Sequence, residues 1–403
     1  MERINHSTAE TDKFGVGKDG FTEGTPPTIP ATVVTDDVMN AVQEELCGVV
    51  EGVGASLVVG ERDQVMTIIK SALAQIALSS SNKAEYTIGG TPAFNAVAAA
   101  ENRDMICAVG SDGANDIAAY SYSGKTFIKS TGLGAATALK AVAYDNAANA
   151  VAVGSSGQIA VSANGGKSWT IKSAAGAYAG QFRCIAYDET NDEFWAAGDT
   201  GEIQVSADSG ATWTSKKSGA QVFTEIAAEN GNIIVFDSGS NLYYSSNSGS
   251  TWTNSAPPGS TTVTDLIYDA DTSLFYLTSY DSGTHAASEV YSSSGTSTWT
   301  LKRDIHAELG GAYSSADAIA KVGDFFLITV SSAATGSASY LYSQTRYLFT
   351  KDFSYFYNAP IPRPGAYTGG SATYRENVVF GRSKIGFQID YSGNIEYTAP
   401  VIF

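Results

Sequence analysis

The sequence predicts a mainly β protein: a β-propeller of about seven blades, with six the alternative count, preceded by an extended arm and an α-helical hairpin. Three observations lead there. Three Ser-to-Trp octets align without gaps between residues 162 and 252, and looser copies flank them. Each octet follows the same run of short, alternating apolar segments. Upstream of the repeat the periodicity is helical, after a proline-rich start.

Residues 1–34 are polar and rich in Gly, Thr and Pro, ending in Gly24-Thr25-Pro26-Pro27-Thr28-Ile29-Pro30. Prolines this close together exclude helix and favour extended chain. Such an arm buries too little apolar surface to order itself without a partner. Over residues 35–84 the pattern changes. Thr35 is placed to cap a helix, with Asp36 and Asp37 at its dipole-positive start. Val38, Ala41, Val42, Leu46, Val49 and Val50 share one stripe, and Gly52 and Gly54 close it. A second stripe, Val65, Ile68, Ile69, Ala72, Leu73 and Ile76, runs through Glu61–Leu78. Two such helices form a hairpin whose core is too small to stand alone. Packing against the downstream domain would cover the stripes; oligomerisation or docking into a larger assembly is the favoured reading.

From residue 85 to 403 the chain repeats. Ser162-Ala163-Asn164-Gly165-Gly166-Lys167-Ser168-Trp169, Ser206 to Trp213 and Ser245 to Trp252 align directly. A fourth copy is read as Ser292 to Trp299 with its glycine moved to Gly295, and a fifth as Tyr120 to Phe127. The aromatic positions 127, 169, 213, 252 and 299 are 42, 44, 39 and 47 residues apart, and Tyr342–Phe349 is a worn copy. Ahead of each octet stand strand-like runs such as Leu139–Asp145, Ala150–Val153 and Gln158–Val161. Four short strands per unit of this length build a propeller blade, which must stack on neighbours to bury its faces. Copies fall near 94–131, 138–175, 182–219, 223–258, 263–304, 316–355 and 369–403. Closure is expected between the C-terminus and a strand near Tyr86–Ile88, because an open edge invites aggregation.

The octets resemble the Asp-box (BNR-type) repeat, Ser-x-Asp-x-Gly-x-Thr-Trp. Asn164, Asp208 and Asn247 are expected to accept backbone N–H groups inside the turn. Gly166, Gly210 and Gly249 supply positive φ. Trp169, Trp213, Trp252 and Trp299 begin the outer strands and contribute about 1.5–3 kcal/mol each by burial. In this reading the repeat is structural and says little about chemistry.

Composition narrows the function. A formal net charge of −17 with no Lys/Arg cluster argues against nucleic acid. Cys47, Cys107 and Cys184 lack CxxC spacing, so neither a disulfide framework nor a zinc knuckle is expected. The N-terminus reads without a signal peptide, and no apolar run is long enough to insert in a membrane.

Propellers with such repeats include sialidases, which need an arginine triad, a Tyr/Glu pair and an acidic donor. The chain has nine arginines, none recurring at a fixed place in the repeat, and Ile361-Pro362-Arg363-Pro364 is late and in the wrong order. No nucleophile, phosphate loop or cofactor motif stands out, so the chain is read as a non-enzyme without cofactor. Asp188, Asp192 and Glu193 could line a cation site, but hairpin turns favour such residues anyway. His285 and His306 lack ligand spacing. The aromatics around the sixth unit, among them Tyr347, Tyr355 and Tyr357, suit strand packing first and a sugar- or protein-binding face second.

Residues 30–50 contain Pro30-Ala31-Thr32-Val33-Val34-Thr35 and Asn40-Ala41-Val42-Gln43-Glu44-Glu45. They resemble a segment near the N-termini of tailed-bacteriophage tail fibres and related virion proteins. That resemblance covers about 50 residues and none of the repeat. It implies attachment to other virion tail proteins through residues 1–84, with Asn40, Val42, Leu46 and Val49 as contacts, and a homotrimer. The propeller would then be the exposed part, meeting host glycan or protein. A virion-borne glycan depolymerase, a purely structural decoration and a cellular assembly factor are the rivals.

Overall fold

The computed structural model describes residues 42–48, 65, 82–83, 85–86, 93–100, 105–122, 126–134, 138–260, 262–281, 287–308, 315–322, 325–331, 345–354, 357–360, 379–380, 386–389 and 395–397. The extended arm, most of both helices, Asn40, Val49, Tyr355 and His285 lie outside them. The chain divides into two compact units, Met1–Ala72 and Leu73–Phe403. In the first, residues 42–48 are helical, as the stripe through Val42 and Leu46 requires.

The second unit is a β-propeller. Its described strands form seven sheets, each with four antiparallel strands. The first contains Ala93–Ala100, Met105–Ser111, Asp116–Ser121 and Thr126–Lys129. The second runs Leu139–Tyr144, Ala150–Gly154, Gln158–Ser162 and Thr170–Ser173. Phe182–Asp188, Glu193–Gly198, Ile203–Ser206 and Thr214–Lys217 make the third. The fourth is Phe223–Glu229, Asn232–Asp237, Leu242–Ser245 and Thr253–Ser255. The fifth is Thr262–Asp269, Leu274–Tyr280, Ser288–Ser293 and Thr300–Asp304, and the sixth Ser315–Val322, Phe325–Ser331, Thr345–Thr350 and Tyr357–Pro360. The seventh joins Val379–Phe380, Gly386–Ile389 and Ile395–Tyr397 to a strand from far upstream, Asn82–Lys83.

The first strand of each sheet lies against the first strand of the next, and that of the seventh lies against Ala93–Ala100, so the ring closes. Closure uses residues slightly upstream of the expected ones: Asn82 pairs with Tyr397 and Lys83 with Glu396. Glu85–Tyr86 instead adds a parallel fifth strand to the first sheet, beside Thr126–Phe127. A single short stretch therefore stitches the outer strand of the last sheet to the outer edge of the first.

The core is a series of slabs between consecutive sheets, because alternate residues of each strand face opposite neighbours. Ala96, Cys107, Val109, Leu139, Ala152 and Trp169 fill the first slab. Trp195, Ile203, Phe223 and Val235 fill the third, and Phe236, Leu242, Phe275 and Leu277 the fourth. Buried alanines crowd the strands of the first two sheets, and buried aromatic residues are more frequent in the later ones.

Candidate functional site

The octets fold into one repeated turn between the third and outer strands. Ser162 Oγ donates to Asn164 Oδ1 at 2.9 Å and accepts the Gly166 N–H at 2.9 Å, while Asn164 Oδ1 accepts the Ser168 N–H at 3.0 Å. Ser206, Asp208, Gly210 and Thr212 repeat this at 2.8, 2.9 and 2.8 Å. Ser245, Asn247, Gly249 and Thr251 do so at 2.9 Å throughout. Trp169 and Trp213 donate Nε1–H to the carbonyls of Gly166 and Gly210, both at 3.0 Å. In Trp252 and Trp299 the indole nitrogen is buried with no acceptor among the described residues.

Each glycine also sits against the preceding sheet. A Cβ on Gly166 would lie 2.9 Å from Cys107 Sγ, on Gly210 2.8 Å from Val151 Cγ2, and on Gly249 2.9 Å from Trp195. The turn thus closes its own hairpin and docks on its neighbour.

Two octets are re-registered by the strand pairing. Ala150, Phe194 and Ile233 pair with Ser162, Ser206 and Ser245; their counterparts Ile106 and Phe275 pair with Ser121 and Ser293. The working serine of the fourth octet is therefore Ser293, not Ser292. Ser293 Oγ donates to Gly295 O at 2.9 Å and accepts its N–H at 3.2 Å. In the first sheet the serine place falls on Ser121 rather than Tyr120. Both turns are one residue shorter than the other three.

Acidic residues at the ends of the inner strands tie sheets together. Asp188, fully buried, accepts N–H groups from Asn191 at 3.0 Å within its own turn and from Asn230 and Gly231 of the next sheet at 2.9 Å. Its fourth partner is Asn191 Nδ2 at 3.0 Å. Asp145 accepts Ser209 Oγ–H at 3.1 Å from the third sheet, and Asp269 meets Lys321 Nζ at 3.1 Å from the sixth. Asp192 accepts the Tyr187 hydroxyl at 2.6 Å. Burial and the nearby Asp188 hold the Glu193 carboxyl above its usual range. Asp188 and Asp192 are thus engaged with separate partners, while Glu193 Oε2 is buried without a hydrogen-bond partner among the described residues. Among the described residues no group of three or more His, Cys, Asp or Glu is placed to hold a metal ion.

Six inner strands carry a bulge at the same place, on Asn95, Lys140, Arg183, Thr224, Thr264 and Asp317. In the first five sheets the residue after it faces the following sheet: Ala96, Ala141, Cys184, Glu225 and Asp265. Two carboxylates therefore occupy a column of otherwise small side chains. Asp265 accepts N–H groups from Leu266 at 2.8 Å and Ile319 at 2.9 Å. Burial nevertheless pushes its carboxyl up to about 6. Burial and the Asp265 charge push Glu225 well above the carboxylate range, and burial with the Glu225 charge does the same to the Cys184 thiol.

Of the aromatics expected to bind a ligand, Tyr347 lies in Thr345–Thr350 opposite Ala359, and Tyr357 opens the strand opposite Phe349. Their side chains, like all of Tyr355, lie outside the described residues. In the N-terminal unit Val42 is half-buried and Leu46 is 48% exposed. Sequence reasoning missed a different cluster. Tyr122 is 50% and Ile128 41% exposed. The Tyr122 ring meets Tyr120 edge-on with centroids 5.9 Å apart, and Lys167 Nζ stands 5.2 Å from its centroid. The signal was present as a departure from the repeat at exposed places, visible once the register is known.

Comparison with known proteins agrees with the fold. The model of the DUF6242 beta propeller domain matches residues 124–259. A YCF48 chain, solved bound to D1 peptide, superposes with a TM-score of 0.55 at 13% identity, covering 79% of this chain and 94% of that one. A second YCF48 chain, from Cyanidioschyzon merolae, gives a TM-score of 0.38 at 13% identity over 65% of this chain and 95% of that one. A stretch of 74 residues is 53% identical to the uncharacterized protein StfP of Escherichia coli (strain K12), covering 18% of this chain and 35% of that protein. This chain thus spans about a third of StfP, and at 13% identity the structural likeness establishes the propeller fold alone.

Proposed function

We propose that this chain is a tail fibre-like virion protein whose N-terminal unit attaches to other tail proteins and whose propeller is displayed to bind the host surface. The observation that carries the reading is the coupling of two unlike parts. One is an N-terminal segment resembling tail fibres; the other is a propeller closed by its own strands, with its repeated polar groups engaged in turns and ties between sheets. The StfP likeness fits the same role. In this reading the chain is a homotrimer without cofactor or catalytic activity, and it meets glycan or protein through the propeller rim.

The test is binding of the purified full chain to Escherichia coli K-12 cells, with surface glycan integrity followed in the same samples. Saturable binding with intact glycan supports an adhesin. Shortened glycan makes the chain a depolymerase instead, and absence of both effects makes it a structural decoration.

A further inference from the structure

The repeat provides an internal alignment in which departures can be judged place by place. Opposite the third strand, the residue after the octet's final aromatic is Thr170, Thr214, Thr253 and Thr300 in the second to fifth sheets, but Ile128 in the first. After the working serine come Ala163, Ala207, Ser246 and Ser294, but Tyr122 in the first sheet. After the shared turn glycine (Gly166, Gly210, Gly249), Lys167 stands where the other gapless copies have Ala211 and Ser250. Among the described residues of the first five sheets all these places are exposed, so packing there demands neither an apolar group nor a charge.

The three departures meet at one spot. Ile128 pairs across the sheet with Tyr120, Tyr120 touches Tyr122 edge-on, and Lys167 reaches over Tyr122 from the second sheet. The isolated bridge Thr131–Ser168 and the hydrogen bond from Thr131 N to Lys167 O, at 3.0 Å, hold the two sheets in register there. Three independent substitutions of small or polar residues thus build one exposed aromatic and aliphatic shelf with a cation at its edge.

We infer that this shelf, Tyr120, Tyr122, Ile128 and Lys167, is a binding spot for an acidic glycan, a pyranose carrying a carboxylate. Tyrosine offers a flat apolar surface with a hydrogen-bonding tip, which suits the C–H face and hydroxyls of a sugar ring. The ammonium suits a carboxylate on that ring. The net charge of −17 does not oppose this, because charges beyond a Debye length of about 8 Å are screened at physiological ionic strength. This inference rests on the reading of the propeller as the host-binding part and names the ligand class.

The test uses the full chain, its Y122A and K167A variants, a galacturonate hexasaccharide and neutral maltohexaose, with binding followed by titration calorimetry. Y122A is expected to weaken galacturonate binding by about tenfold. K167A is expected to remove the preference for galacturonate over maltohexaose. Unchanged thermal unfolding of both variants shows that the fold is intact. No binding of galacturonate by the parent chain, or equal binding by parent and variants, overturns the proposal. Cell binding separates it from the broader reading: parent and variants binding cells alike refute the shelf while leaving an adhesin. A parent that binds galacturonate through the shelf but not cells refutes the adhesin alone.

Discussion

At Gly210 a methyl group has no room: a Cβ would lie 2.8 Å from Val151 Cγ2 and 2.9 Å from Val161 Cγ2, and φ is +86°. G210A combines backbone strain with overpacking and is expected to cost about 2–4 kcal/mol. Gly176, at φ +63° with open space around it, is the control, and G176A is expected to cost about 1 kcal/mol, both read from denaturant midpoints. Asp188→Ala removes the acceptor of four N–H groups, two of them from the next sheet. It is expected to cost about 3 kcal/mol or more, because buried donors are left unpaired. Glu225 and Asp265 act in the opposite sense. Their carboxyls are held above their unfolded values, Asp265 at about 6, so the folded state binds protons more tightly than the unfolded one. Their contribution to stability is therefore greatest below the ordinary carboxylate range and is lost as pH rises through the folded values. Melting temperature should fall between about pH 4 and above pH 6, and E225Q should flatten that fall and melt higher at neutral pH. A fall of the same size in E225Q would contradict the pairing.

The strands and their order were legible, because Trp169, Trp213 and Trp252 recur with glycine and an Asx residue at fixed offsets, and such a turn has one way to close. Register at single-residue level was not. Ser292-Ser293 offers two serines and Tyr120-Ser121 a second residue for one slot, and only backbone pairing with Phe275 and Ile106 decides between them. The ties made by Asp188 and Asp269 and the carboxylate column were hidden for a related reason: they join residues about 40–55 positions apart, across sheets. Closure was foreseen in kind but fell on Asn82–Lys83, two residues too short to show alternation. A fragment beginning at residue 73 keeps that strand; one beginning at 85 loses the outer strand of the seventh sheet and bares the edge of Ile395–Tyr397. The shorter fragment is expected to melt lower and to self-associate on size-exclusion chromatography. Equal melting of the two fragments would show that this strand contributes nothing to closure.

For the whole molecule, a propeller whose inner strands close a ring needs no partner to complete its sheets, whereas the N-terminal stripes have too little surface to stand alone. The resemblance of residues 30–50 to tail fibres implies a homotrimer, so the full chain is expected to be trimeric by light scattering and the fragment from residue 73 monomeric; a monomeric full chain would remove the fibre geometry. No helix among the described residues is long and apolar enough to cross a membrane. The central claim, a propeller carried on a virion by its N-terminal unit, is tested most directly by immunogold electron microscopy. Particles released from the strain that carries this chain would be labelled with antibodies against the propeller and against residues 1–72. The account predicts both labels on the tail, the propeller label farther from the particle axis than the N-terminal one. Particles without label, or label on the capsid alone, would contradict it.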